Sequence, residues 1–447
     1  MTDLVELTAR LLRAATDAGA DAADALAVAG SSVSIDVLKG RLEQAERSEG
    51  TDLGLRVLVG HRQACISASD LRPDTLATMA ERAVAMAREA PEDAHVGLAD
   101  PDDLARDRSA AALDQVDPHD PPTPAALQDM ALAAEAAAMA VDGVDQVSGA
   151  GAGWGEQRYH LATTNGFEGG GARTGSSLSC VAITGTGTAM ERDYYGDSRV
   201  HAGDLDAPEV VGRIAGERAV ARAGARKPPT GAFPVLYDER VSATLIGHLL
   251  GAINGSAVAR GSSFLRDAMG EAVLPEGMDL WEDPHLPRLG SSRVFDGEGL
   301  ATARRDLVSG GVLSSWILDL TTAGRLGLRS TANAARGTSA PPSPSVTNVR
   351  VTQGSSSRDD LLADMGTGLL VTGLIGSSVN ATTGDYSRGA SGFWVEGGRI
   401  AYPVNECTVA GNLRPMLRGL VAANDARMHL SRAVPSLLVD GMTIAGR

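Results

Sequence analysis

The chain has 447 residues, enough for about three domains at roughly 150 residues each, with 43% hydrophobic residues but only 3% aromatic ones. Its formal charge of −16 and pI near 5.0 argue against a nucleic-acid partner, which needs a concentrated basic surface. Three scattered cysteines, Cys65, Cys180 and Cys407, fit a reducing compartment better than a disulfide framework. The acidic N-terminal stretch and the lack of any run of about 18 apolar residues point away from secretion and membrane insertion, so a cytoplasmic location is expected.

The first element is an amphipathic helix over 3–18, with Leu4, Leu7, Leu11 and Leu12 at helical spacing and Gly19 as a stop. Leu26 to Val37 reads as a strand, and Leu53–Val59, a Gly60-His61 turn and Ala64–Ser67 read as a hairpin. A helix from about Asp74 to Arg88 completes a small α+β domain over 1–96. The Asp- and Pro-rich segment 97–123 reads as a connection.

A middle α/β region over 124–223 opens with an alanine-rich helix from Pro124 to about Val141. Strand-like runs at 144–150, 157–164 and 176–189 precede a helix at 207–223. The segment 224–231 is a second connection. The remainder, 232–447, starts with a strand at 234–238 and a helix at 240–253, then alternates short apolar runs with Gly, Asn and Ser. That pattern predicts a large β-rich domain with a few helices, and an α+β class for the whole chain. Residues 336–345 read as a loop.

The chain carries no self-sufficient catalytic motif. None of the histidines at 61, 95, 119, 160, 201, 248, 285 and 429 has another within a helical turn, so a local zincin motif is missing. A scattered site from His248, Cys407 and His429 stays open at this stage. Gly261-Ser262-Ser263 is not a nucleophile elbow, and Cys407 in an apparent strand reads as a small core residue. The glycine-rich stretches at 166–171 and 185–187 lack a phosphate-binding context, and Glu282-Asp283 with His285 reads as turn chemistry around Pro284.

Five segments carry a resemblance. They are Ala252–Leu265, Phe295-Asp296-Gly297-Glu298-Gly299 with Ala301-Thr302, Ser330–Arg336, Gly384–Trp394 and Val409–Leu413. With Gly54-Leu55-Arg56-Val57 and Asp193-Tyr194-Tyr195 upstream, the chain resembles the TldD/PmbA family, and within it the PmbA/TldE branch. The resemblance implies a peptidase system in which a TldD-type subunit carries HExxxH and a later cysteine around zinc. Counted back from Gly261-Ser262-Ser263, the positions matching His, Glu and His are Ile246, Gly247 and Gly251, and Ser431–Leu438 offers no thiol.

The resemblance therefore implies a chain with no metal or cofactor of its own, paired with a TldD-like zinc subunit. Together they would process or degrade unfolded peptides and small proteins. The expected peptide contacts are Ser262, Ser263, Asn380, Asp385 and Ser387, with glycine-rich strand edges over 366–396 pairing to an extended substrate. Two alternatives stand beside it: an autonomous hydrolase using Ser263, Cys407 or scattered metal ligands, and a non-enzymatic peptide-binding homodimer.

Overall fold

The computed structural model describes residues 3–446, except for the side chain of Ser377. Helix α1 (Leu4–Asp17) is capped by Asp3, whose carboxylate accepts from the Val5 and Glu6 N–H groups. Helices α2 (Pro73–Glu89), α3 (Pro124–Met139) and α4 (Pro208–Val220) each begin with proline, which has no N–H to leave unpaired there.

Strands β1 (Ala22–Leu38), β2 (Arg41–Val59), β3 (Arg62–Ala68), β4 (Gln146–Thr163), β5 (Glu168–Thr184) and β6 (Glu191–Arg199) form one antiparallel sheet in the order β3-β2-β1-β4-β5-β6. The runs at 144–150 and 157–164 belong to a single strand, β4, because the glycines between them adopt extended backbone and pair fully with β1 and β5. Pairing of Asp24–Val37 with Ala150–Thr163 carries the sheet across the 97–123 segment.

All four helices lie on one face of this sheet. Ala23, Ala25, Ala27 and Ala29 of β1 pack with α1 and α2, and Ile35 and Val37, on the same side of the strand, pack with α3 and α4. Small alanines here let Leu7, Leu11, Leu127 and Met79 fill the layer, so few aromatic residues are needed. Each such buried Leu or Met contributes about 1.5–3 kcal/mol.

The other face receives the C-terminal half. After β7 (Gly231–Tyr237) and α5 (Glu239–Ala252) come the short strands β8 (Leu280–Glu282), β9 (Arg305–Ser309), β10 (Val312–Leu313), β11 (Ala334–Ala335), β12 (Ser343–Pro344) and β13 (Val349–Val351). Strands β14 (Gly368–Val379), β15 (Asp385–Glu396), β16 (Arg399–Asn412), β17 (Val421–Ala422), β18 (Arg432–Ala433) and β19 (Leu437–Ala445) follow. A ring β7-β14-β15-β16-β19 closes through pairing of β16 with β19 and of β19 with β7, making a barrel. Helix α5 buries Leu245, Ile246 and Leu249 in the same core as Tyr237, Tyr386 and Trp394.

Neither expected loop is free. In the 97–123 segment Ala99, Ala105 and Leu113 are buried, Leu104 bridges to Leu300, and the Ala105 N–H donates to the Gly299 carbonyl at 2.9 Å. The 336–345 loop lies against β2. A Cβ at Gly54 would stand 2.3 Å from the Thr338 carbonyl oxygen, so only glycine admits this approach.

Beside Gly54, the carboxylate of Asp24 accepts from Nε of Arg56 at 2.6 Å and pairs with Arg336 of the same loop, all three side chains being at most 2% exposed. The motif around Asp296 sits against it. The Asp296 carboxylate accepts three backbone N–H groups, from Glu298, Leu300 and Ala334, and Glu298 accepts from the Leu320 N–H. Burial, and then the neighbouring Asp296, push the Glu298 carboxyl up to about 8.

Two outcomes follow from this lock. Arg336→Met leaves Asp24 half-paired in a dry site and is expected to cost about 3–5 kcal/mol in denaturant unfolding; a loss under about 1 kcal/mol would show that the pair does not hold the halves together. Glu298 binds its proton more tightly folded than unfolded, so its contribution is complete below its unfolded pKa of 4.5 and is lost as pH rises through about 8. The histidines His160, His248 and His429, lowered chiefly by burial, act in the opposite sense only up to their ordinary value of 6.5. Stability should therefore fall between pH 6.5 and 8, and Glu298→Gln should flatten that fall; an unchanged slope in the variant refutes the assignment.

Candidate functional site

Helix α5 is the element on which the catalytic comparison turns. It starts at Asp238, whose side chain accepts from the Arg240 N–H, and runs into the barrel core through its Leu245, Ile246 and Leu249 face. Ile246 is 1% exposed and belongs to the hydrophobic core of the barrel. Gly247 and Gly251 lie one turn apart on another face. A Cβ on Gly247 would meet only Nη1 of Arg432, at 3.9 Å, and one on Gly251 would meet nothing within 4 Å. The helix thus presents bare backbone with open space beside it.

These positions do not fit a metal: a buried isoleucine and two glycines offer no donor atom and no base. His248 adjoins them. Its ring stands edge-on to Tyr386 with centroids 5.7 Å apart, and its Nε2 is buried with no acceptor among the described residues. Burial, reinforced by Arg388, holds the imidazole below its ordinary pKa, so it is neutral at pH 7. His248, Cys407 and His429 have separate surroundings: Cys407 Sγ donates to the Ala390 carbonyl, and His429 Nε2 lies 3.6 Å from Asp197. Among the described residues no group of three or more His, Cys, Asp or Glu could hold a metal ion.

The turn after α5 is committed to structure. Gly261 takes φ +69°, and Ser263 donates to the Ala252 carbonyl at 2.6 Å while accepting from the Leu265 N–H at 2.9 Å. Its hydroxyl is buried and has no base. Ser262 makes a long contact to the Ala257 carbonyl. Cys407 is equally unsuited to nucleophilic work, since burial pushes its thiol up to about 11. Glu282, beside the His285 turn, spends both carboxylate oxygens on Asn333 and Thr347.

The expected peptide contacts fall in two groups. The Phe264 N–H donates to the Ala381 carbonyl at 2.7 Å, which joins the serine turn to the hairpin between β14 and β15. There the Asn380 side chain accepts from the Thr382 and Thr383 N–H groups, and Asp385 accepts from Thr383 Oγ1 and from Asn412 Nδ2. Those hydrogen bonds hold the Asp385 carboxyl below the usual range. Asn380 and Asp385 are exposed at this rim; Ser387 lies half-buried in β15, opposite Ser378 and Ala410. The glycine-rich segments of 366–396 pair within the barrel, β14 between β7 and β15 and β15 between β14 and β16. Sequence reasoning did not single out Arg388, within the Gly384–Trp394 motif, or Arg432, within 431–438, because their proximity to His248 and Gly247 arises only in the folded chain.

Comparison with known proteins agrees across the chain. Family models match residues 23–87 as PmbA/TldA metallopeptidase domain 1, 117–223 as the central domain and 230–446 as the C-terminal domain. The chain is 36% identical over 419 residues to Metalloprotease PmbA of Escherichia coli O157:H7, covering 93% of this chain and 90% of that protein. It is 36% identical over 438 residues to a PmbA homolog of Haemophilus influenzae, covering 97% and 94%. Its fold matches a Bacteroides thetaiotaomicron protein described as a candidate modulator of DNA gyrase, with a TM-score of 0.91, 28% identity and 99% of both chains covered. It also matches TldE of Thermococcus kodakarensis in fold, at a TM-score of 0.85 and 19% identity over 98% and 100% of the two chains. With models matched from residue 23 to 446 and relatives this similar over nearly its whole length, the chain belongs to the PmbA/TldE family.

Proposed function

We propose that this chain is the non-catalytic subunit of a TldD/TldE-type metallopeptidase that processes unfolded peptides and small proteins. In this reading a TldD-like partner supplies zinc, and the present chain supplies one wall of the peptide passage. The observation that carries it is the bare face of α5. Ile246, Gly247 and Gly251 offer neither ligand nor base, while the open space beside Gly251 leaves room for an extended chain. A relative named as a TldD homolog, from Buchnera aphidicola, is 24% identical over 48% of this chain, which is compatible with two related subunit types.

Metallopeptidase chemistry requires a polarised carbonyl, an activated water and a substrate held extended. The residues of this chain serve only the last need. Exposed Asn380 and Asp385 at the rim near α5 are the side chains best placed to touch a peptide, and their hydrogen bonds keep them oriented. Ser263 is already saturated, which argues against an autonomous serine hydrolase. A cytoplasmic setting agrees with three unpaired cysteines and with the lack, among the described residues, of a helix long and apolar enough to cross a membrane.

Mixing the chain with a TldD-like subunit that retains HExxxH is expected to give a stable complex that cleaves an unstructured peptide, with no cleavage by this chain alone. Ser263→Ala and Cys407→Ala should leave turnover by the complex within a few-fold, whereas loss of a true nucleophile would cost on the order of 10⁴ or more. Cleavage by the isolated chain, or its abolition in either variant with the complex intact, would replace this reading with an autonomous hydrolase. Binding of peptide by a homodimer that ignores the zinc subunit would replace it with a scaffold.

A further inference from the structure

The helix-free face of the six-stranded sheet is covered only in part by the C-terminal half. Next to the Asp24 lock, where the 336–345 loop touches β2, the segments 290–297 and 334–346 and the strands β1, β4 and β5 line a cleft of about 540 Å³, within the range of small-ligand sites. Leu26 and Val28 of β1 and Tyr159 and Leu161 of β4 form its apolar floor, in register across the two strands. Phe295 and Val346 face them from the loops.

Three arginines line this cleft, in a chain whose net charge is −16. Arg173 comes from β5, where it donates to the Gly290 carbonyl at 3.0 Å and to Gln157 Oε1 at 2.9 Å and stays exposed, and Arg293 and Arg336 come from the loops. The acidic lining residues are Asp52, exposed at the β2 rim, and Asp296, whose oxygens already accept three backbone N–H groups. Arg293 donates from Nη2 to the Ser345 carbonyl at 3.1 Å, and its Nε has no acceptor among the described residues. Arg336 is paired with Asp24, and its Nε and Nη2 likewise lack acceptors there. Buried guanidinium N–H groups without acceptors, as on Arg293 and Arg336, are costly, and a carboxylate offers acceptors in the matching planar geometry.

We propose that this interdomain cleft binds a short apolar peptide through a carboxylate, with Arg293 and Arg173 as its polar partners. The choice of a peptide rests on the function proposed above, whereas the preference for an anion with an apolar body rests on the cleft alone. The carboxylate comes from the peptide's C-terminus or from an Asp or Glu side chain. Either source places the ligand on the sheet and loops of this subunit, apart from the α5 face.

Calorimetric titration of the chain alone separates the sources and does not depend on any cleavage. The probes are N-acetyl-Leu-Ala-Val as free acid, the same peptide as its C-terminal amide, and N-acetyl-Leu-Ala-Glu as its C-terminal amide. The free acid is expected to bind at one site per chain, and amidation to weaken it by about tenfold or more. Equal binding of the Glu peptide amide would assign the side-chain source and still support the site. Arg293→Gln should weaken the acid by a similar factor. Arg173→Gln, at an exposed position where loss of folding is not expected, should weaken it several-fold. The proposal is overturned if the Leu-Ala-Val acid and its own amide bind alike, if none of the peptides binds, or if the arginine variants that fold bind as the parent does.

Discussion

The structure hangs on one buried carboxylate. Asp24 lies buried in β1, between Arg56 of the neighbouring strand and Arg336 of a loop 312 residues further along, in the C-terminal half. An unpaired charge there would cost several kcal/mol, so the loop cannot leave without exposing all three groups or stranding one. Gly54 removes the side chain that would block the loop, and the Asp296 and Glu298 carboxyls collect the backbone N–H groups that the tight loops leave over. Sheet and barrel are thereby held at a fixed separation, which in turn sets the width of the cleft beside them.

Several of the motifs that mark the family prove to be parts of this joint. Phe295–Gly299 packs against Phe167 and supplies the Asp296 hub, and Ser330–Arg336 carries Asn333 to Glu282 and Arg336 to Asp24. A second set gathers at the end of α5: the serine turn, the hairpin at 380–385 and Asn412 are tied by the Phe264 to Ala381 and Asn412 to Asp385 hydrogen bonds. Both sets hold turns and loops in place through these hydrogen bonds and ion pairs.

Much of the fold was legible because its signals are local. Leu4, Leu7 and Leu11 announce α1, and Pro124 and Pro208 mark the starts of α3 and α4. The single long strand β4 was not legible, since Gly151, Gly153 and Gly155 break the apolar pattern between the two runs and are extended only because two neighbouring strands pair with them. The 97–123 and 336–345 segments look like free loops by composition, but their few buried groups, Ala105, Leu113 and Arg336, make contacts that only tertiary structure reveals. Of the site, Ile246, Gly247 and Gly251 are named from the motif register, and the structure adds that all three lie on α5. The saturation of Ser263, the isolation of His248 and the cluster of Arg173, Arg293 and Arg336 could not, because each depends on partners distant in sequence.

That the bare face of α5 borders the peptide path is tested most directly at Gly251, which is exposed and where an added Cβ would meet no atom of a neighbouring element within 4 Å. In the complex with a TldD-like subunit, Gly251→Trp should leave assembly and thermal stability intact while lowering turnover of an unstructured peptide substantially, mainly through KM. Unchanged kinetics in an intact complex would contradict the account, since a ring filling that space could not leave a substrate path along it untouched.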